Sequence, residues 1–234
     1  MSPWRSVEAP LSSGQYVSCQ SVPVPLSISF SGSGFLATYQ LGVAQSMLDR
    51  SPWVLQAAPK VMGASAGSLV AAAVVCVCAK LTVYVCLSRL QCVNLSLQCV
   101  NLRLQWYTAI DRSINMQNLV MVSVYEPDSL TAVLCFPHME ALLCGCFLPG
   151  YCGIQPPSYK GVHYLDGGFS SIQPTNFCPI GHTITVSPFA GETDICPKDP
   201  APLCDVVVSG ANLHCSLVNG YRMLDAMYPY NWEV

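Results

Sequence analysis

From Val61 to Ala79 the chain carries no charged side chain, and its apolar residues are interrupted only around Gly63, Ser65, Gly67 and Ser68. A run of this length can cross a bilayer as one helix. It can also be a buried strand and a buried helix joined by a turn. The interruption favours the second form, because two glycines and a serine within five residues weaken a helix interior and suit a tight turn. Lys60-Val61-Met62 then reads as a short strand, and Ser68 to Val77 as a helix of small residues.

The same order occurs once before it. Leu26-Ser27-Ile28-Ser29-Phe30 alternates apolar and polar residues, the pattern of a strand. Ser31-Gly32-Ser33-Gly34 follows as a turn. Phe35 to Asp49 then spaces Phe35, Leu36, Tyr39, Val43 and Met47 as one face of a helix, with Pro52 soon after it. Strand, glycine turn, helix, strand, turn, helix is the start of an α/β fold with a parallel sheet. Farther on, Met139 to Cys146 reads as a helix end, Gly161 to Leu165 as a strand, and Asp166-Gly167-Gly168 as a turn. Thr183 to Val186 reads as a strand, and Asn212 to Met227 as a helix ended by Pro229.

The middle follows another rule. Leu90-Gln91-Cys92-Val93-Asn94-Leu95-Ser96 is followed by Leu97-Gln98-Cys99-Val100-Asn101-Leu102-Arg103, and Leu104-Gln105 starts a third copy. Two heptads fall short of a coiled coil, so residues 78–137 are taken as a divergent, low-complexity segment and Leu90 to Gln105 as poorly packed. Residues 1–25, rich in Ser and Pro, read as a flexible leader without the basic-then-apolar pattern of a signal peptide. That leaves 26–229 as one domain and 230–234 as a truncated tail. Charged residues make up only 10% and the net charge is −3, so the chain has no basic field for nucleic acid. The 14 cysteines include no CxxC pair of zinc spacing, and several, such as Cys76, Cys78 and Cys144, sit in apolar runs as small hydrophobes. A reducing compartment follows, and the Asn94-Leu95-Ser96 sequon reads as chance.

Gly63-Ala64-Ser65-Ala66-Gly67 is a GxSxG element between a strand and a helix. A nucleophile on such a tight turn needs neighbours two before and two after it that are nearly without side chains. The helix behind it aims amides at developing negative charge. Gly32, Ser33 and Gly34 make a glycine turn suited to an oxyanion hole. Glycines spaced this way also suit a dinucleotide, but no acidic residue follows at the end of a second strand. For a base, Asp166 at a strand end, with Gly167 and Gly168 behind it, can reach a serine across a turn. A triad of Asp166 with His182 or His214 has the chain order of an α/β-hydrolase. Ser65 comes early for that fold, and His163 and His138 stand in no matching motif.

Taken together, SISFSGSGFLATYQLGV, GASAGSLVAA, CGIQPPSYKGVHYLDGGFSSIQP and ITVSPFAGETDICPKD resemble the patatin-like phospholipase family. The likeness is to its vertebrate group around adipose triglyceride lipase. SGSGFL, YQ and DGGF followed by QP lean toward its omega-hydroxyceramide transacylase member. The resemblance implies an incomplete patatin-like three-layer α/β fold, with a mostly parallel central sheet flanked by helices. It implies Ser65 as nucleophile, Asp166 as base, Gly32, Ser33 and Gly34 as oxyanion loop, and Gly63, Gly67, Gly167 and Gly168 as motif supports. A Ser–Asp dyad of this kind hydrolyses lipid esters or transfers their acyl group with no metal or cofactor. The expected partners are a lipid ester, a lipid droplet or membrane surface met from the cytoplasm, and a protein co-activator, with no nucleic acid. The repeat-bearing middle has no counterpart in the family, so the alternative is an inactive, lipid-associated interaction protein.

Overall fold

A computed structural model of the chain describes residues 26–78, 119–125, 132–135, 139–175, 182–200 and 204–228. The heptad repeat, the leader, the sequon, His138 and residues 230–234 lie outside them.

Strand β1 (Ser27–Phe30) is buried along its whole length. A 3₁₀ turn (Gly34–Leu36) leads into helix α1 (Ala37–Arg50). Helix α2 (Pro52–Ala57) begins on Pro52, where a missing N–H costs nothing. Strand β2 (Lys60–Ala64) and helix α3 (Ala66–Cys78) follow, with Ser65 alone between them. The uncharged run is therefore a strand and a helix. No described helix is long and apolar enough to cross a membrane. Its lack of charge reflects burial: Val70 to Val75 on α3 are at most 3% exposed, and they pack against Ile28, Phe30, Val61 and Val186 of the sheet. A helix made largely of alanine and valine presents a smooth face that can lie close to the strands.

Within residues 78–137, for which the sequence predicts no element, two strands are described: β3 (Leu119–Tyr125) and β4 (Ala132–Cys135). β2 pairs with β1 and with β3 in parallel, β1 pairs in parallel with β8 (Thr183–Val186), and β4 runs antiparallel on β3. The order β4-β3-β2-β1-β8 is thus a mostly parallel sheet flanked by helices, the α/β architecture expected of a patatin-like fold. Consecutive parallel strands demand helical crossovers, which α1 and α3 supply.

Helix α4 (Met139–Gly145) packs near β3. The strand read over Gly161 to Leu165 is broken in two. β6 (Val162–His163) turns back on β5 (Ser158–Tyr159) through Lys160 and Gly161, both at positive φ, while β7 (Leu165–Asp166) joins β3. The helix read from Asn212 also needs correction. Strand β10 (Ala211–Cys215) pairs antiparallel with β9 (Cys204–Val208), and helix α5 (Leu217–Met227) starts only after Ser216, whose hydroxyl caps it by accepting from the Asn219 amide. Ser209 and Gly210, with φ of 43° and 81°, make the two-residue turn that twisted hairpins favour. Residues Ala211 to Leu213 alternate buried, exposed, buried, which is strand periodicity.

Candidate active site

Ser65 has φ of 51°, a left-handed conformation that costs a side-chain-bearing residue on the order of 1 kcal/mol or more. Its two glycine neighbours explain why the turn holds. A Cβ on Gly63 would stand 2.3 Å from Gly67 O, and one on Gly67 would stand 2.3 Å from Ser31 O. The strand, the elbow and the glycine loop approach so closely that only glycine fits at both positions. Helix α3 begins at once on Ala66, so its amide end faces the serine, and Ser68 braces the turn by donating its amide and its hydroxyl to Ser65 O at 2.9 and 2.6 Å.

Asp166 reaches this elbow through the sheet. β2 pairs with β3 as far as Ala64 opposite Ser123, and the next residue of β3, Val124, pairs with Asp166. Val124 also pairs with Ala132 of β4, so β7 takes the flank that β2 has just vacated. The carboxylate therefore stands in line with the end of β2, where Ser65 leaves it. Ser65 donates its Oγ hydrogen to Asp166 Oδ2 at 2.6 Å, and Gly168 donates its amide to Oδ1 at 2.7 Å. A further bond, from the Asp166 amide to Phe147 O at 2.9 Å, ties the residue to the segment after α4. Burial pushes the Asp166 carboxyl up to about 6, although the Ser65 hydroxyl and the Gly168 amide pull it down. Gly167 is buried in the 3₁₀ turn Gly167–Phe169 that Asp166 caps, and a Cβ on Gly168 would stand 3.0 Å from Asp166 Oδ1.

The glycine loop lies on the other side of the serine. A Cβ on Gly32 would stand 3.6 Å from Ser65 Cβ. The Gly32 amide is already committed, donating to Ile172 O at 2.7 Å. Gly34 has φ of +50°, and a Cβ there would stand 2.1 Å from Ala226 O of α5. Ser33 donates its hydroxyl to Gln40 Oε1.

The three described histidines lie apart from this group. His163 Nδ1 meets Pro156 O at 2.9 Å, His214 Nδ1 stands 3.9 Å from Asp205 Oδ1, and His182 offers its carbonyl to the Ser27 amide. Since Ser65 meets Asp166 directly, no imidazole stands between them.

Among the buried carboxamides that escaped the sequence reading, two brace β1 and the glycine loop. Gln40 bonds to Ser31, Ser33 and Val186, and Gln173 Nε2 donates to Ser29 O and Oγ at 3.0 and 2.9 Å. The available signal was a glutamine on the stripe Leu36, Gln40, Val43, Met47, where helical spacing predicts an apolar residue.

No family model matches the chain. Curated proteins do. It is 34% identical over 232 residues to "Omega-hydroxyceramide transacylase" of Homo sapiens, covering 88% of this chain and 42% of that protein. To "Patatin-like phospholipase domain-containing protein 2" of Bos taurus it is 32% identical over 229 residues, covering 86% of this chain and 45% of that one. To "Patatin-like phospholipase domain-containing protein 5" of Mus musculus it is 31% identical over 228 residues, covering 88% and 52%. The chain therefore spans about half the length of these relatives or less.

Proposed function

The chain is a homologue of the patatin-like phospholipase family over most of its length, and on that premise we propose that it is a serine acyl hydrolase or transacylase acting on lipid esters through a Ser65–Asp166 dyad. One observation carries the mechanism: a serine on a strained elbow donates directly to a buried carboxylate at 2.6 Å. With its carboxyl near 6, Asp166 is ionised at neutral pH and basic enough to take the proton as Oγ attacks the ester carbonyl carbon. The oxyanion forms between the glycine loop and the start of α3. The Gly32 amide is engaged by Ile172 O, so this reading assigns the donor role to the Ser33 and Gly34 amides and leaves Gly32 as the residue of close approach to Ser65. Asp166 then returns the proton to the leaving alcohol. The acyl–Ser65 ester is cleaved by water, or by a lipid hydroxyl in transacylation, with Asp166 again as base.

Lipid as the substrate class is supported by the names of the relatives and by the surface beside the loop. Helix α5, whose Ala226 carbonyl abuts Gly34, exposes Leu217, Tyr221 and Leu224 at helical spacing. A peripheral position on a lipid droplet or membrane, reached from the cytoplasm, accords with that face.

A fluorophosphonate probe tests the reading, because it phosphonylates only an activated serine. The wild type should label and hydrolyse a short-chain p-nitrophenyl ester, and Ser65→Ala should do neither. Equal labelling of the two proteins removes Ser65 from the mechanism. A folded wild type that neither labels nor turns over ester is instead a lipid-associated interaction protein. Emulsified triacylglycerol, phospholipid and acylceramide then separate the lipid classes.

A further inference from the structure

Gln40 has no exposed surface. A carboxamide has two donor hydrogens and an accepting oxygen, and burying it without partners is costly. Here every group is used. Nε2 donates to Ser31 O at 2.9 Å, and also faces Ser31 Oγ at 3.1 Å and Val186 O at 3.4 Å, while Oε1 accepts from Ser33 Oγ at 3.2 Å. The orientation of the amide is fixed by this environment, since two backbone carbonyls require the nitrogen on their side.

The partners lie on both sides of Gly32. Ser31 precedes it and Ser33 follows it, so one side chain spans the glycine that lies against Ser65. Ser33 is also the residue before the 3₁₀ turn Gly34–Leu36, where a serine hydroxyl commonly accepts from a backbone amide as a cap. It makes no such bond. Its hydroxyl is turned to Gln40 instead. Other restraints on the loop come from elsewhere: Ser31 Oγ donates to Ser187 Oγ at 3.1 Å, Ile172 O holds the Gly32 amide, and Ala226 O backs Gly34. Gln40 adds a second link to the sheet through Val186 O on β8, beside the direct bond that the Ser31 amide makes to the same carbonyl.

We propose that Gln40 is a positioning residue of the oxyanion loop, its carboxamide fixing Ser31 and Ser33 so that the loop keeps its place against Ser65, which it meets at Gly32. The proposal rests on the acyl-transfer reading above. Donors to a developing oxyanion act through placement, and small displacements cost rate without costing substrate binding. Gln40 touches neither Ser65 nor Asp166, so its loss should leave the acid–base behaviour of the dyad intact.

The experiment compares wild type, Gln40→Met, Gln40→Asn and Ser65→Ala. The measurements are circular dichroism, the rate of fluorophosphonate labelling, and kcat, KM and pH profile on p-nitrophenyl butyrate. Folded Gln40→Met should label and turn over about tenfold more slowly or worse, with KM within about threefold and the acid limb of the profile unmoved. Gln40→Asn keeps the amide but withdraws it by one methylene, and should lie between the two. A wild-type rate in either folded variant overturns the proposal, and so does a loss confined to KM. Unfolding of both variants overturns it too, by making Gln40 a stability residue. If Ser65→Ala retains labelling, the acyl-transfer reading itself has failed; if Ser65→Ala is dead and the Gln40 variants are unaffected, only the role of Gln40 has.

Discussion

Replacing Asp166 by asparagine should abolish turnover and make the protein more stable at neutral pH. The carboxyl is 2% exposed and is raised from 3.8 to about 6, chiefly by burial. The folded protein therefore binds this proton more tightly than the unfolded chain does. A raised carboxyl contributes stability that is fully present below the unfolded value and is lost as pH rises through the folded one. From 3.8 to about 6, at about 1.36 kcal/mol per pKa unit, the loss is about 3 kcal/mol. Asparagine carries no charge to bury. Its Oδ1 can keep the Gly168 amide and its Nδ2 can donate to Ser65 Oγ, so both contacts survive. Relative to wild type, Asp166→Asn should gain about 3 kcal/mol between pH 4 and pH 7, about 6–12 °C in Tm for a chain of this size. Thermal melts of both proteins at half-unit intervals from pH 4 to 8 measure the difference. Wild-type kcat should rise with pH and level off above about 6 as Asp166 ionises. A Tm difference independent of pH, or turnover in the variant, refutes the reasoning.

Ser65→Gly and Ser65→Ala should both lose fluorophosphonate labelling, but the glycine variant should melt higher by the equivalent of ~1 kcal/mol, because it relieves the positive φ that alanine retains. Gly67→Ala drives a Cβ to 2.3 Å from Ser31 O and 2.6 Å from Phe30 O, both backbone atoms. It should cost about 3 kcal/mol in urea unfolding and slow labelling together. Asn219 is 3% exposed; it accepts from the Ala190 amide and donates to Ala190 O and His214 O. Asn219→Leu takes that partner from the Ala190 amide and from His214 O, while Ala190 O keeps the His214 amide, and it should cost about 2 kcal/mol of stability in urea unfolding. Replacing His163, His182 or His214 should leave esterase kcat within about twofold, the effect of a change that touches no transition-state contact.

What the sequence disclosed was what local sterics enforce. The elbow is legible from Gly63, which its neighbour Gly67 requires within one turn, although Gly67 itself is required by Ser31 and Phe30 at the end of β1; a strand ending in Asp166-Gly167-Gly168 carries its own turn chemistry. Helix α1 is legible from its stripe, but Gln40 drew no reading of its own, because its meaning lies in Ser31 and Val186, which only the folded sheet brings near. β3 escaped for the same reason. Leu119 to Tyr125 is an apolar run whose identity as a strand comes from pairing with β2 across a long separation in sequence. β10 was absorbed into a helix because the apolar spacing of α5 extends backward by chance. Ser216, an N-cap with strand on one side and helix on the other, was the overlooked boundary.

The pairing of Val124 with Asp166, one step beyond Ala64 opposite Ser123, has a consequence for how such a protein can change. The distance between nucleophile and base is counted in rungs of one ladder. It contains no contribution from the length of any loop. Residues joining α3 to β3 can therefore be inserted, duplicated or rewritten at small entropic cost, and the two reacting groups stay in step while Leu119–Tyr125 keeps its alignment. A slip of β3 by one residue would be different, since it turns every side chain of the strand to the opposite face and carries the aspartate out of line with the elbow. Descendants of this fold are free to vary the covering of the site, and are held to account at a single register.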